Sequence, residues 1–523
     1  MHNFFSWAEA HPERLALTMA STGEQITAGA LAVRAKQLAQ WLASQGLKAG
    51  DVLAVLLENR SEILEIVLAS KMAGLYSAVI GTHLTPPEVA YIVQDCNAQL
   101  VITSTKTLKQ LREVRHNLKI ACWTVDESCD GVPALEDSLK TLTGDPIDFS
   151  DRPVGRDLLY SSGTTGRPKG VMKALLPSSY RHQMEPEVVV TNKYMRIDAS
   201  TIYLSPAPMY HAAPLRFMLR VLDLGGQAVI MDRFDAEQAL ALIERHQATH
   251  SQWVPTMLSR MLQLPDEVKQ RYDLSSHKVA IHAAAPCPIP VKQAMLDWWG
   301  DILLEYYGGS EGCGITLIHS SEWRERPGSV GRAISGQVHI VGDDGQELGT
   351  GERGLVYFSG ISLFAYLNDE EKTQQAINEK GWATYGDIGH VDEQGYLFLS
   401  DRRTDLILSG GVNLYPQEIE TALLRHPAVY EAAVVGVPHV DFGEQALAVI
   451  VLQPGAEASE TMAQAIAAQT EDVLSKLKRP QRMVFVDSLP KLETGKLLRR
   501  VLKDRYHDEA GVADHGYDLR KKT

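Results

Sequence analysis

Asp157-Leu158-Leu159-Tyr160-Ser161-Ser162-Gly163-Thr164-Thr165-Gly166-Arg167-Pro168-Lys169-Gly170 runs from a short apolar, strand-like segment into a tract of hydroxyl and glycine residues. Glycine lets successive backbone N–H groups point into one concavity, which suits an anion. Lys169 adds a compact positive charge matched to phosphate. A nucleotide-binding P-loop would need GxxxxGK[ST], but Lys169 is followed by Gly170 and preceded by Arg167-Pro168. A Ser/Thr/Gly cluster alone is most often a surface loop. The ten-residue string with its trailing Pro-Lys-Gly is far more specific than that.

On either side of this loop, helical and strand patterns alternate. Leu31 to Gly46 carries apolar residues at helical spacing and stops on glycine. Asp51 to Leu57 is an apolar run suited to a buried strand, Ser61 to Ala73 is helical again, and Ala98 to Ser104 is a strand. Gln227–Met231, Ala236–His246 and His250–Val254 repeat strand, helix and strand, the last stopped by Pro255. Such alternation predicts an α/β fold of layered subdomains with parallel strands. From Gly328 to Arg402 short β-rich pieces are punctuated by Asp-Gly, Gln-Gly and Gly-Gly turns, a β-rich subdomain. Beyond Arg402 comes a separate α+β alternation: a helix at 415–426, strands at 429–438 and 445–454, a helix from Thr461 to Leu477, and a strand in Met483–Pro490. It is the size of a small domain, so the expected division is 1–402 and 403–523, with the join near Asp401–Asp405. The polar stretch Tyr506–Thr523 is expected to fray.

The 523 residues carry 51 Lys+Arg against 65 Asp+Glu, a net charge of -14, which disfavours a phosphate-gripping polycation and so nucleic acid as a partner. The first residues lack the apolar run of a signal peptide, and no stretch approaches the ~18 apolar residues of a membrane span. Five loosely spaced cysteines with no CxxC pair fit reduced thiols, so a cytoplasmic protein without stable membrane insertion is expected. Monomer and homodimer both stay open. No HExxH or paired-ligand pattern marks any of the 17 histidines as a metal ligand.

The loop Ser161-Ser162-Gly163-Thr164-Thr165-Gly166-Arg167-Pro168-Lys169-Gly170 resembles the signature loop of the acyl-adenylate-forming enzymes, which include acyl-CoA synthetases, peptide-synthetase adenylation domains and luciferases. Further matching motifs follow in order as far as Lys496. Tyr307-Gly308-Gly309-Ser310-Glu311 resembles the element whose tyrosine packs on adenine and whose glutamate helps hold magnesium on ATP, with Ser310 keeping the usual hydroxyl. His282-Ala283-Ala284-Ala285-Pro286 resembles the small-residue wall of the adenine and acyl pocket, with Ala283 where glycine is common, so its methyl is expected to narrow the cavity. Asp387, in Tyr385-Gly386-Asp387-Ile388-Gly389, matches the ribose-binding aspartate, and Arg402, in Ser400-Asp401-Arg402, the arginine on ribose and phosphate. Ser409-Gly410-Gly411-Val412-Asn413 resembles the glycine-rich element lining the thiol channel. His211, in Pro208-Met209-Tyr210-His211, matches a position that orders the acyl site, and Lys496, ending Pro490-Lys491-Leu492-Glu493-Thr494-Gly495-Lys496, the lysine that reaches carboxylate and α-phosphate.

The resemblance implies a mobile C-terminal lid, a hinge near Thr404, and an ATP-dependent acyl-CoA synthetase working through acyl-AMP, with ATP, Mg2+ and coenzyme A. Glu311 and Thr165 would serve the metal, and Lys496, His211 and Glu311 the chemistry. Read singly, each motif is also a common turn, packing strand or solvated charge; their order carries the inference. The apolar segments AAPLRFML and QWVPTML, with no aspartate near Tyr210–Leu215 for an α-ammonium, point to a fatty, alicyclic, aryl or steroid-type acid rather than an amino acid. A compact Gly351–Arg402 favours coenzyme A over a carrier protein. Three alternatives remain on the same scaffold: an acyl-AMP ligase loading a carrier, a nucleotide-binding pseudoenzyme, and a luciferase-like oxygenase.

Overall fold

A computed structural model describes residues 3–112, 114–142, 147–161, 168–361, 364–402, 405–409, 412–439, 443–471, 473–474, 478–491, 497–507 and 516–519. The first helix predicted from periodicity spans Ala28–Ser44. It starts earlier than expected because the Thr27 side chain accepts the Ala30 N–H and caps it. Leu31, Ala35, Leu38, Ala39 and Leu42 form its buried face, and Gly46, at φ +89°, lets the chain turn away. That face packs on the helix Glu62–Ala73. The strand Val52–Leu56 is buried at all five positions, as a strand covered on both faces must be, and lies in a parallel sheet between Tyr76–Val79 and Ala98–Thr103.

The central sheet has 13 strands among the described residues and changes character along its width. Leu15–Met19, Gln227–Ile230, Ile202–Ser205, His250–Trp253, Val279–His282 and Leu303–Tyr307 run parallel to one another. Pairing turns antiparallel from Leu303–Tyr307 onward, through Ile315–His319, Ser329–Ser335, Leu397–Arg402, Ala383–Val391, Gly354–Ser359 and Gln337–Val341. The second half is the β-rich region, and its turn glycines Gly345 and Gly395 have φ of +78° and +80°, as the Asp-Gly and Gln-Gly signals require. The carboxyl ends of the parallel strands open where the two halves meet, a usual place for a ligand crevice in open α/β sheets.

The C-terminal sheet pairs Val429–His439 antiparallel with Gly443–Leu452, which runs parallel to Arg482–Phe485 through the crossover helix Glu460–Gln469. Two expectations fail here. The helix predicted to Leu477 ends at Gln469, because the Thr470 hydroxyl takes the Ala467 carbonyl at 2.7 Å and competes with continuation. Nor does all of the tail fray: Gly516–Asp518 adds an antiparallel strand on Arg482–Phe485, and Tyr517 sets its ring 5.4 Å from Phe485. A three-residue strand has no periodicity to read, but it covers an otherwise open edge.

Candidate active site

The hairpin Leu159–Ser161/Lys169–Met172 holds the ends of the signature loop, with Ser161 opposite Lys169. Ser162, Gly163, Thr164, Thr165 and Gly166 lie outside the described residues, and of Ser161 only the strand position is described. Lys169 leaves the hairpin with its ammonium over the Tyr366 ring, 5.3 Å from the centroid. Burial first, and the like charge of Lys372 second, lower its pKa. The Tyr366 hydroxyl donates to Glu311 Oε1 at 2.9 Å. One aromatic ring thus links the loop lysine to the carboxylate expected to serve a cation.

Glu311 sits in the loop between Leu303–Tyr307 and Ile315–His319. That loop is clamped by Tyr385, whose hydroxyl donates to the Gly314 carbonyl at 2.8 Å. Gly309 fits only as glycine: a Cβ there would stand 2.5 Å from Tyr385 Cε1 and 2.8 Å from Glu311 Oε2. At the strand end, the Tyr307 hydroxyl donates to Asp387 Oδ2 at 2.6 Å. Asp387 is opposite Arg402 in the strand register, although only the backbone position of Arg402 is described. Arg216 pairs with Asp157 at 2.8 Å and reaches the Ser310 carbonyl at 3.4 Å, tying the strand before the signature loop to the Glu311 loop. Burial alone would raise the Asp157 pKa; Arg216 holds it below the ordinary range.

These groups share one cavity of about 1920 Å³, lined among others by Lys169, Tyr307, Gly308, Ser310, Glu311 and Asp387. His211 lines it too, at the start of the helix Ala212–Asp223, with its ring 4.5 Å from that of Tyr210. Ala284 and Ala285 also line it, and Ala284 holds φ +77°, a left-handed conformation that costs a non-glycine residue about 1–2 kcal/mol. Ala283, by contrast, is 4% exposed and not part of the lining, so its methyl does not narrow the cavity as expected. The small strand-end residue that faces the cavity comes one position later. Ser409 is buried and also off the lining, while Gly410, Gly411, Thr404 and Lys496 lie outside the described residues.

Sequence reading missed Arg216, Tyr366 and Lys372. Arg216 did leave a signal, a charge inside the apolar run AAPLRFML. Tyr366 and Lys372 left none, because their place beside Lys169 comes from the short pairing of Ala365–Tyr366 with Lys169–Met172. Among the described residues no group of three or more His, Cys, Asp or Glu is placed to hold a metal ion. Nor is any helix among them long and apolar enough to cross a membrane.

A cleft with a hairpin-borne lysine, a carboxylate loop and a tyrosine–aspartate pair at strand ends is that of a nucleotide-dependent ligase. Residues 4–366 match the AMP-binding enzyme family and residues 418–496 the AMP-binding enzyme C-terminal domain, so the chain belongs to that family, in the acyl-CoA synthetase branch of the acyl-adenylate-forming enzymes. It is an AMP-forming acid–CoA ligase, and ATP, coenzyme A and a carboxylic acid are the substrates of such enzymes. The long-chain-fatty-acid–CoA ligase FadD13 of Mycobacterium tuberculosis is 30% identical over 512 residues, covering 95% of this chain and 97% of that protein. The 2-succinylbenzoate–CoA ligase of Bacillus subtilis is 28% identical, covering 95% and 96%. ATP-bound MatB from Rhodopseudomonas palustris superposes with a TM-score of 0.84 at 29% identity, covering 97% of this chain and 99% of that one.

Proposed function

We propose that this ligase activates a hydrophobic acid of the fatty, alicyclic, aryl or steroid type, with the roles below. The observation that carries the reading is the continuity of one cavity from the apolar Phe217–His211 side to the polar Tyr307–Asp387 side. An acid lying along the first would present its carboxylate to a nucleotide held in the second.

Attack of a carboxylate oxygen on the α-phosphorus of ATP forms acyl-AMP as the α–β phosphoanhydride bond breaks and pyrophosphate leaves with its electron pair; this brings an anion to a polyanion, so positive charge must meet it there. Lys169 and the signature loop, Ser161 to Gly166, cradle phosphate. Tyr307 and the wall Ala284-Ala285 flank the adenine, with Ala283 packed behind that wall and Gly308 and Ser310 leaving room beside it. Asp387, with two acceptor oxygens, takes the ribose hydroxyls, and Arg402 assists it. The Tyr307 hydroxyl, bonded to Oδ2, fixes the orientation of that carboxylate. Glu311 suits Mg2+ in its usual protein setting, where one or two carboxylates share the ion with phosphates, since Oε1 accepts the Tyr366 hydroxyl and no described side chain hydrogen-bonds the second oxygen; Thr165 is assigned to the same ion from its motif. Bound there, Mg2+ would neutralise phosphate charge. His211 orders the acyl carboxylate.

Lys496 delivers the last charge to the reacting carboxylate and α-phosphate. It rides on a lid comprising residues 403–523, which then rotates so that Ser409, Gly410 and Gly411 line the path of coenzyme A. The thiol sulfur attacks the acyl carbon of acyl-AMP, the thiol gives up its proton, and AMP leaves with the bonding pair. The five cysteines form no disulfide, and we read the protein as cytoplasmic; burial pushes Cys96 up to about 12 and Cys122 up to about 11, so neither is a reactive thiolate. A homodimer is compatible with this scheme and is not required by it.

The test separates the half-reactions. Lys496→Ala is expected to lower acid-dependent adenylation by about 10²–10³ while retaining most of the conversion of supplied acyl-AMP to acyl-CoA. Equal loss in both half-reactions would overturn the assignment.

A further inference from the structure

The helix Ala212–Asp223 carries two arginines at helical spacing, and they differ in their partners. Arg216 has the Asp157 carboxylate. Arg220, one turn deeper and only 9% exposed, has no carboxylate within ion-pair distance among the described residues. Its Nε has no hydrogen-bond partner among them, and Nη1 donates only toward the Met195 thioether, a weak acceptor. A buried guanidinium stays charged, and leaving it without an acceptor is costly. It nonetheless lines the cavity, beside Phe217 and Tyr306, with its Cζ 5.0 Å from the Phe217 ring centre. Gln252, on the sheet floor of the same half, lines the cavity with a buried Oε1 that also has no partner among the described residues. That amide can present either end by flipping. Glu187 faces this half as well, and Lys173 stands 3.8 Å from it.

A wall built for a plain hydrocarbon chain would not place these donors at its far end. We infer that the acid carries an acceptor oxygen at the end remote from its reacting carboxylate, a carbonyl or a second carboxylate, which Arg220 binds. The inference rests on the reading of this half as the acyl pocket. From His211 to Arg220 is nine residues of sequence, or roughly 13 Å along a helix at about 1.5 Å per residue, so the remote oxygen belongs on an acid of medium length.

Acid-dependent ATP–pyrophosphate exchange with decanoic acid, its ω-1 oxo analogue and decanedioic acid tests it on the intact enzyme. The oxo acid or the diacid should exceed decanoic acid in kcat/KM by roughly 10–100-fold, the span of a hydrogen bond to a charged group, and which of the two leads identifies the oxygen. In Arg220→Met the ratio should fall to near one, and in Arg220→Lys it should fall only partly. Decanoic acid matching or exceeding both partners in the unmodified enzyme would overturn the inference while leaving the acyl-CoA ligase reading in place, and needs no variant to fold. Exchange with none of the three would count against both.

Discussion

Asp387 is the most exacting residue of the nucleotide side. Its carboxylate already accepts one short hydroxyl bond, from Tyr307, and a ribose would offer two more of the same kind. Hydrogen bonds to a charged group are worth about 1.5–3 kcal/mol each, so Asp387→Ala is expected to raise the KM for ATP by roughly 10–100-fold. The KM for the acid should move much less. A variant in which both constants rise together would point to general disruption. Gly309 illustrates a different constraint, one of space: Tyr385 and Glu311 close on it from two sides, and a methyl would have to displace one of them. The strain at Ala284 belongs to the same neighbourhood, where left-handed backbone brings a small side chain to the cavity wall.

Elements with strong periodicity were legible before any coordinates. The helix Ala236–His246 falls where the sequence pattern puts it, with Asp235 accepting the Gln238 N–H as its cap. The buried strand Val52–Leu56 announced itself as an apolar run. What escaped reading was set by a local side-chain bond in one case and by tertiary contact in the other. Thr470 ended a helix through its own hydroxyl, and the strand Gly516–Asp518 exists because Arg482–Phe485 offers an edge. In the site, Lys169, Tyr307, Glu311 and Asp387 stand in motifs that the sequence displays, whereas Tyr366, Lys372 and Arg220 stand in none, since each matters through a neighbour distant in sequence. The late strand makes its own prediction. Tyr517 is half-buried against Phe485, and Tyr517→Ala should destabilise the C-terminal region by about 1–2 kcal/mol, read as a lower urea midpoint. An unchanged midpoint would mean that this strand adds nothing to stability.

Over the whole molecule, histidines buried in and beside the central sheet make stability depend on pH. Burial pushes His277 down to about 3, lowers His282 well below the ordinary imidazole value, and lowers His250. Each therefore resists protonation more in the folded chain than in the unfolded one. Below 6.5 the unfolded chain binds protons that the folded one refuses, so stability falls with decreasing pH, and for His277 this continues to about 3. Each such histidine adds at most about 1.4 kcal/mol per pH unit. His277, held by Ser251 Oγ at 2.7 Å and edge-on to Trp299, is the best one to remove. His277→Gln should flatten the dependence of Tm on pH over that range, and a slope equal to that of the unmodified chain would refute the linkage.

At the same scale, the cavity reaches from the helix Ala212–Asp223 past Glu311 to Arg499 and Tyr415 of the C-terminal part, so both parts of the chain border it. In the proposed reaction a hydrophobic acid is activated by adenylation and handed to coenzyme A. The most direct measurement is exchange of labelled pyrophosphate into ATP, with and without such an acid, followed by addition of coenzyme A. Exchange that requires the acid, followed by acyl-CoA and AMP in equal amounts once the thiol is present, is the expected result. Exchange independent of any acid, or acid-dependent exchange that never yields a thioester, would contradict it.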